Sequence, residues 1–160
     1  MRNFLRDDEN VENNKRAPKW IIFAALLTAD RLTKLLAASY LALPANLEYE
    51  TAARESARFF SLSLYHNHGI SFSLFGNFPL ISLMASILGV VILGGLCLKN
   101  DWLRSSKGVL FLWAGATGNL TDRLLYGYVI DWFYVGIHIN LADVWLCIGC
   151  VMFFYRYAKN

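Results

Sequence analysis

In the stretch YGYVIDWFYVGIHINLADVW, residues 126–145, Asp131 and Asp143 lie twelve positions apart among Val, Ile, Trp, Phe and Tyr, with no Lys or Arg between them. Two carboxylates brought together cannot both ionise cheaply, so they share a proton; one then acts as base toward water while the other donates as acid. That is the chemistry of aspartic peptide hydrolysis. Each acid also has a plainer use. Asp143 near a helix start is a favourable N-cap, a place that Asn140 fills equally well, and Asp131 alone is a loop carboxylate in water. Which use applies depends on whether the flanking elements bring the two acids together.

Those elements are set by hydropathy. Of 160 residues, 56% are hydrophobic and only 17% charged, against roughly 45–50% and 25% in an ordinary soluble domain. The apolar residues come in runs of the length needed to cross a bilayer, about 20 residues. The sequence predicts a mainly α membrane protein with four transmembrane helices, at about 20–43, 78–98, 108–125 and 141–157, behind a polar arm at 1–17. The arm is acidic and the first run is longer than a signal core, so an uncleaved first span is expected and the arm is the one candidate for disorder. Lys and Arg concentrate in the first 19 residues (five), after the second run (Lys99, Arg104, Lys107) and in the tail (Arg156, Lys159), while residues 126–140 carry none. Basic residues favour the cytoplasmic side, so both termini are expected there and the two long loops outside. No basic stripe suits a nucleic acid.

The outer loops carry strand signals. Phe60 through Tyr65 alternates apolar and polar residues, Asn67-His68-Gly69 offers a turn, and Ile70 to Phe75 suits a second strand. The β-branched and aromatic stretch GYVIDWFYVGIHI, broken at Gly136, is a candidate partner. Together they predict a small extracytoplasmic β-sheet over the outer helix ends. Glu50 to Phe59 suits a short interfacial helix.

A charge at the centre of a span costs about 2.5–3.5 kcal/mol on insertion scales, so each needs a partner or a task. Asp30 and Lys34 are four apart on one helical face and either neutralise each other or reach toward a polar site. Asn119 and Arg123 share a face near the outer boundary; Asp122, on a neighbouring face, is expected to meet a lipid headgroup or a loop residue, and Gly115 and Gly118 to serve helix packing. Cys147 and Cys150, in CIGC, and Cys97 are expected as buried packing thiols. His66, His68 and His138 match no zinc spacing, so no metal is expected.

Taken together, DRLTK in the first span, NHGISFS in the first outer loop, GATGNLTDR running to GYVID after the third span, and NLAD opening the fourth resemble the lipoprotein signal peptidase family, signal peptidase II, the intramembrane aspartic peptidases of bacteria. The likeness extends from about residue 20 to 157. It implies that Asp131 and Asp143 are the catalytic pair and Asp122 is not. Asp30, Lys34, Asn67, Gly69, Asn119, Arg123 and Asn140 would then line the site and orient the pair or the substrate. It further implies cleavage of a prolipoprotein before a diacylglyceryl-modified cysteine at the outer face of the inner membrane, with no metal or other cofactor, by a monomer among membrane lipids. The chain departs from the family pattern at Tyr134, where a second acid is common, at Ile139 and Val144, and in the short segment joining the two aspartates; these bear on substrate preference or rate. The rival expectations are a small ion- or proton-translocating protein working through Asp30, Lys34 and Arg123, and an inactive relative that only binds lipopeptides.

Overall fold

The structure, a computed structural model, describes residues 2–41, 60–69, 78–99 and 106–159. Four helices carry it: α1 (Arg2–Tyr40), α2 (Pro79–Lys99), α3 (Lys107–Tyr126) and α4 (Leu141–Ala158). The last three begin and end within a residue or so of the apolar runs. α1 starts ahead of its run and takes in the polar arm at 1–17; its side chains are described from Lys19 onward. The expected helix over Glu50–Phe59 and the strand over Ile70–Phe75 lie outside the described residues. Among those described, α2 and α4 are long and apolar enough to cross a membrane. α1 carries Asp30, Arg31 and Lys34, and α3 carries Asp122 and Arg123, within their apolar runs.

The interior is inverted relative to a water-soluble core. Asp30, Lys34, Asp122, Asp131 and Asn140 are among the buried residues, whereas Trp20, Ile21, Leu32, Leu35 and Leu36 of α1 and eight large apolar residues of α2 point outward. Soluble proteins keep charges out and large aliphatic side chains in. Here burial satisfies the charges, and the apolar surface is left to face its surroundings.

Helices α3 and α4 pack backbone to backbone. A Cβ on Gly149 would lie 2.7 Å from the Leu112 nitrogen and 2.8 Å from the Gly108 oxygen, and one on Gly115 would lie 2.5 Å from the Ala142 oxygen. Small residues permit this approach, and it holds the start of α4 against α3 where Asn119 and Asp143 must meet. The thiols of CIGC do not contribute: Cys147 and Cys150 are exposed on α4, not buried as expected. Gly149 between them takes the packing face, which turns the two thiols away from it.

The sheet has the strand order β1 (Ser61–Asn67), β2 (Val129–Tyr134), β3 (His138–Ile139), all antiparallel. The first outer loop therefore pairs with the second, and the second folds on itself. α3 ends at Gly127, whose φ of 81° sits in the left-handed region and whose N–H returns to the Arg123 oxygen. That reversal sends the chain straight into β2. Gly136, at φ 83°, makes the turn into β3. Two of the family departures fall within this hairpin: Ile139 pairs with Phe133 and Tyr134 with His138. The short connection between the aspartates is thus a complete hairpin that ends at the cap of α4.

Candidate active site

Asp131 is the middle of β2 and Asp143 the third residue of α4; both line one cavity of about 600 Å³. Asn140 joins them. As the N-cap of α4 its side-chain oxygen accepts the Asp143 N–H at 3.1 Å, the Asp143 Oδ2 accepts the Asn140 N–H at 3.1 Å, and the Asn140 Nδ2 donates to Asp131 Oδ1 at 2.5 Å. This reciprocal capping box resolves the choice the sequence left open: Asn140 caps, and the Asp143 carboxylate is fixed beside it with its Oδ1 turned elsewhere.

That oxygen accepts the Asn119 Nδ2 at 2.9 Å. Asn119 is oriented by Lys34, whose ammonium donates to the Asn119 Oδ1 at 3.0 Å and so leaves the amide hydrogens for Asp143. Lys34 also contacts Asp30 Oδ2 and Asp122 Oδ2, each at 2.9 Å. Its three ammonium hydrogens thus have three acceptors. Asp30 spends its other oxygen on the Ala142 N–H at 2.8 Å, in the first turn of α4. The pair is therefore both mutually neutralising and reaching into the site.

On the other side, β1 and β2 pair with a bulge between Leu62 and Tyr65, after which Tyr65 faces Asp131 and Asn67 faces Val129. Asn67 is then the diagonal neighbour of Asp131 on the same sheet face, and its Nδ2 donates to Asp131 Oδ2 at 3.0 Å. Its oxygen accepts the Gly69 N–H at 2.9 Å, and the Gly69 carbonyl accepts from Arg123 Nη2. Arg123 lines the cavity, and its buried Nε–H has no partner among the described residues. These contacts link the nine residues named for the site, Asp30, Lys34, Asn67, Gly69, Asn119, Arg123, Asp131, Asn140 and Asp143.

The partners of both carboxylates are amides, which hold them without neutralising them. Burial, with the charge of Asp143 second, pushes the Asp131 carboxyl up to about 7, against the hydrogen bonds from Asn67 and Asn140 and the charge of Lys34. Asp131 consequently keeps its proton in the acid-to-neutral range and loses it above. If that proton is the one the reaction needs, kcat/KM falls tenfold per pH unit on an alkaline limb centred near 7. A profile flat from pH 6 to 9 would remove Asp131 from the role of acid.

The sequence offered Asp122 a lipid headgroup or a loop residue and gave Arg31 no role. Asp122, 1% exposed, takes the loop residue: its Oδ2 accepts the Ile130 N–H at 3.2 Å beside Lys34, and its Oδ1 pairs with Arg31 Nη1 at 2.7 Å. It ties α1 and α3 to the strand residue preceding Asp131. Arg31 also reaches the Tyr126 hydroxyl. The signal was available, since a charge in an apolar run demands a partner and these two had none in sequence reach. Gly118 was likewise assigned to helix packing alone. A Cβ there would lie 2.6 Å from Asp30 Oδ2, and Asp30 is pinned by two partners. Gly118→Ala is expected to cost roughly 1–3 kcal/mol and to lower cleavage, read by thermal unfolding and turnover together; a fully active, equally stable variant would contradict the tight seat described for Asp30.

The fold is shared with two solved structures titled as a bacterial membrane enzyme, determined by the in meso method at 2.3 and 1.9 Å resolution. Their TM-scores are 0.71 and 0.69 at 20% identity, covering 89% and 90% of this chain and 88% and 94% of theirs. The class is therefore the helical fold of a bacterial membrane enzyme with a small sheet carrying part of the site. Within it, residues 22–159 match the family model described as signal peptidase (SPase) II, and the chain belongs to that family. It is 34% identical over 154 residues to a lipoprotein signal peptidase of Francisella tularensis subsp. mediasiatica, covering 84% of this chain and 88% of that protein. It is 30% identical over 137 residues to that of Lactiplantibacillus plantarum, covering 82% and 87%, and 27% over 146 residues to that of Neisseria gonorrhoeae, covering 83% and 84%.

Proposed function

We propose that this chain removes signal peptides from lipid-modified prolipoproteins as an aspartic endopeptidase, with Asp131 and Asp143 as its catalytic pair. Membership of the signal peptidase II family carries the reaction. One observation carries the mechanism: two carboxylates line one cavity, bridged by Asn140 and held by amides. Asp143 takes a proton from a water held between the carboxylates as that water attacks the scissile carbonyl. Asp131 gives its proton to the carbonyl oxygen. The resulting diol collapses as the proton taken by Asp143 passes to the departing amine, and Asp131 recovers its own from the diol hydroxyl. Asn119, Asn140 and Asn67 hold the two acids in register, and Arg123 lines the same cavity.

Four membrane spans, with both termini on the cytoplasmic side and the sheet outside, fit this role. Asp30 and Lys34 of α1 and Asp122 of α3 are turned inward and, with Arg31, matched to each other, and the outward faces of all four helices carry large apolar residues. A substrate anchored in the bilayer by its lipid would then present its scissile bond at the depth where β2 and α4 meet. Lys34 and Asp122 are saturated by fixed partners, which does not suit an ion path, and the family does not favour that alternative.

The test is cleavage of a diacylglyceryl-prolipoprotein by the purified protein in detergent, beside the same substrate without its lipid. Cut before the lipidated cysteine, and only with the lipid present, is the expected result; no cut in either would refute the assignment.

A further inference from the structure

The residues that face the dyad across the cavity have no part in the chemistry above. Ala85, Ser86 and Gly89 of α2 form one wall, and Ala116 of α3 with Leu146 and Cys147 of α4 close the cavity beyond the carboxylates. The α2 wall carries no charge and no side chain larger than serine. Depth along α2 is fixed by Gly94, where a Cβ would touch the Trp113 ring at 3.3 Å. Because a short connection makes α2 and α3 antiparallel, five residues back along α2 correspond to five forward along α3. Gly89 is thus level with Gly118, next to Asn119 and the candidate dyad.

The α2 glycines differ in what they do. Gly94 is glycine because Trp113 packs on it. At Gly89 and Gly95 a Cβ would meet nothing within 4 Å among the described residues, so none of these requires the absent side chain. Only Gly89 of these two lines the cavity. Among the described residues, nothing fills the space it leaves open in the cavity.

Resting on the peptidase assignment, we propose that Gly89 determines specificity: the α2 wall at Gly89 is a subsite that seats a hydrocarbon group of the substrate beside the scissile bond. The walls of Ala85, Ala116, Leu146 and Cys147 give it nothing with which to bind a charge and much with which to bury hydrocarbon. Two parts of a lipidated peptide have that chemistry, an apolar side chain flanking the cut and an acyl chain of the tether.

Gly89→Leu projects into the subsite from a position where a Cβ meets nothing within 4 Å among the described residues, and Gly95→Leu adds the same group to the same helix away from the cavity. Both variants should fold with the wild-type unfolding temperature in detergent; selective unfolding of Gly89→Leu would show that the space is not open and overturn the proposal. With the full diacylglyceryl-prolipoprotein, Gly89→Leu should raise KM about tenfold or more, as loss of one buried hydrocarbon group does, and Gly95→Leu should leave it unchanged. The same comparison is then made with a substrate whose flanking apolar residues are alanine and with one carrying shortened acyl chains. The gap between wild type and Gly89→Leu should close for whichever trimmed substrate no longer enters the subsite, and that identifies the group it holds. Unchanged KM in Gly89→Leu, or a gap that neither trimmed substrate narrows, would overturn the subsite while wild-type cleavage still upheld the peptidase. No wild-type cleavage would overturn both.

Discussion

Asp131→Asn and Asp143→Asn are each expected to lower cleavage by about 10³-fold or more, the scale seen when one member of a catalytic unit is removed, while the protein stays folded. Asparagine keeps the shape of the side chain and removes its ability to take or hold the transferred proton. The structural cost is limited by what surrounds each acid. Asp131 accepts from the Nδ2 of both Asn67 and Asn140, so an amide at 131 turns its own NH₂ toward one of those donors and loses that hydrogen bond, about 1 kcal/mol or slightly more. Relief of a buried carboxylate partly offsets it. At Asp143 the amide would meet the same conflict with Asn119 or with the Asn140 N–H. Thermal unfolding within a few degrees of wild type, substrate binding retained and turnover lost is the combined result that supports the dyad. Ordinary turnover in either variant would sink it.

Lys34→Met should have the largest effect on stability. Lys34 is fully buried and is the donor common to Asp30, Asp122 and Asn119. Among the described residues, truncating it leaves Asp30, 2% exposed, with the Ala142 N–H alone, and leaves Asp122 to Arg31 and the Ile130 N–H. Removing one partner of a buried ion pair costs about 3–5 kcal/mol, because the remaining charge is uncompensated. Activity should fall as well, since Asn119 loses the contact that turns its NH₂ toward Asp143. Lys34→Arg is not expected to rescue: a planar guanidinium cannot direct three hydrogens at three acceptors grouped around one ammonium. Combining Lys34→Met with Asp30→Asn should restore part of the stability and none of the activity. If the single and double variants unfold at the same temperature, the charge balance assigned to this network is wrong.

The network also shows how far a sequence can be taken. Helix positions were legible to within a few residues at most ends because long apolar runs have one economical outcome, and the block DRLTK, the block GNLTDR and the two aspartates stood out because charge in such runs is costly. What lay beyond reach was which charge meets which. Arg31 and Asp122 are 91 positions apart, and their pairing depends on the closeness of α1 to α3, which Gly118 allows. The partner of β1 was legible as a candidate; the bulge that brings Asn67 diagonal to Asp131 was not, because alternation alone cannot tell where one extra residue is inserted.

By itself the sequence determined most helix bounds and the family, and it named the residues of the candidate site, since these follow from residue type, spacing and local periodicity. Only the tertiary structure decided how Asp131 and Asp143 are joined. Their bridge is the Asn140 side chain, which must cap α4 and reach β2 at once, and that double role exists only when helix and strand are already side by side.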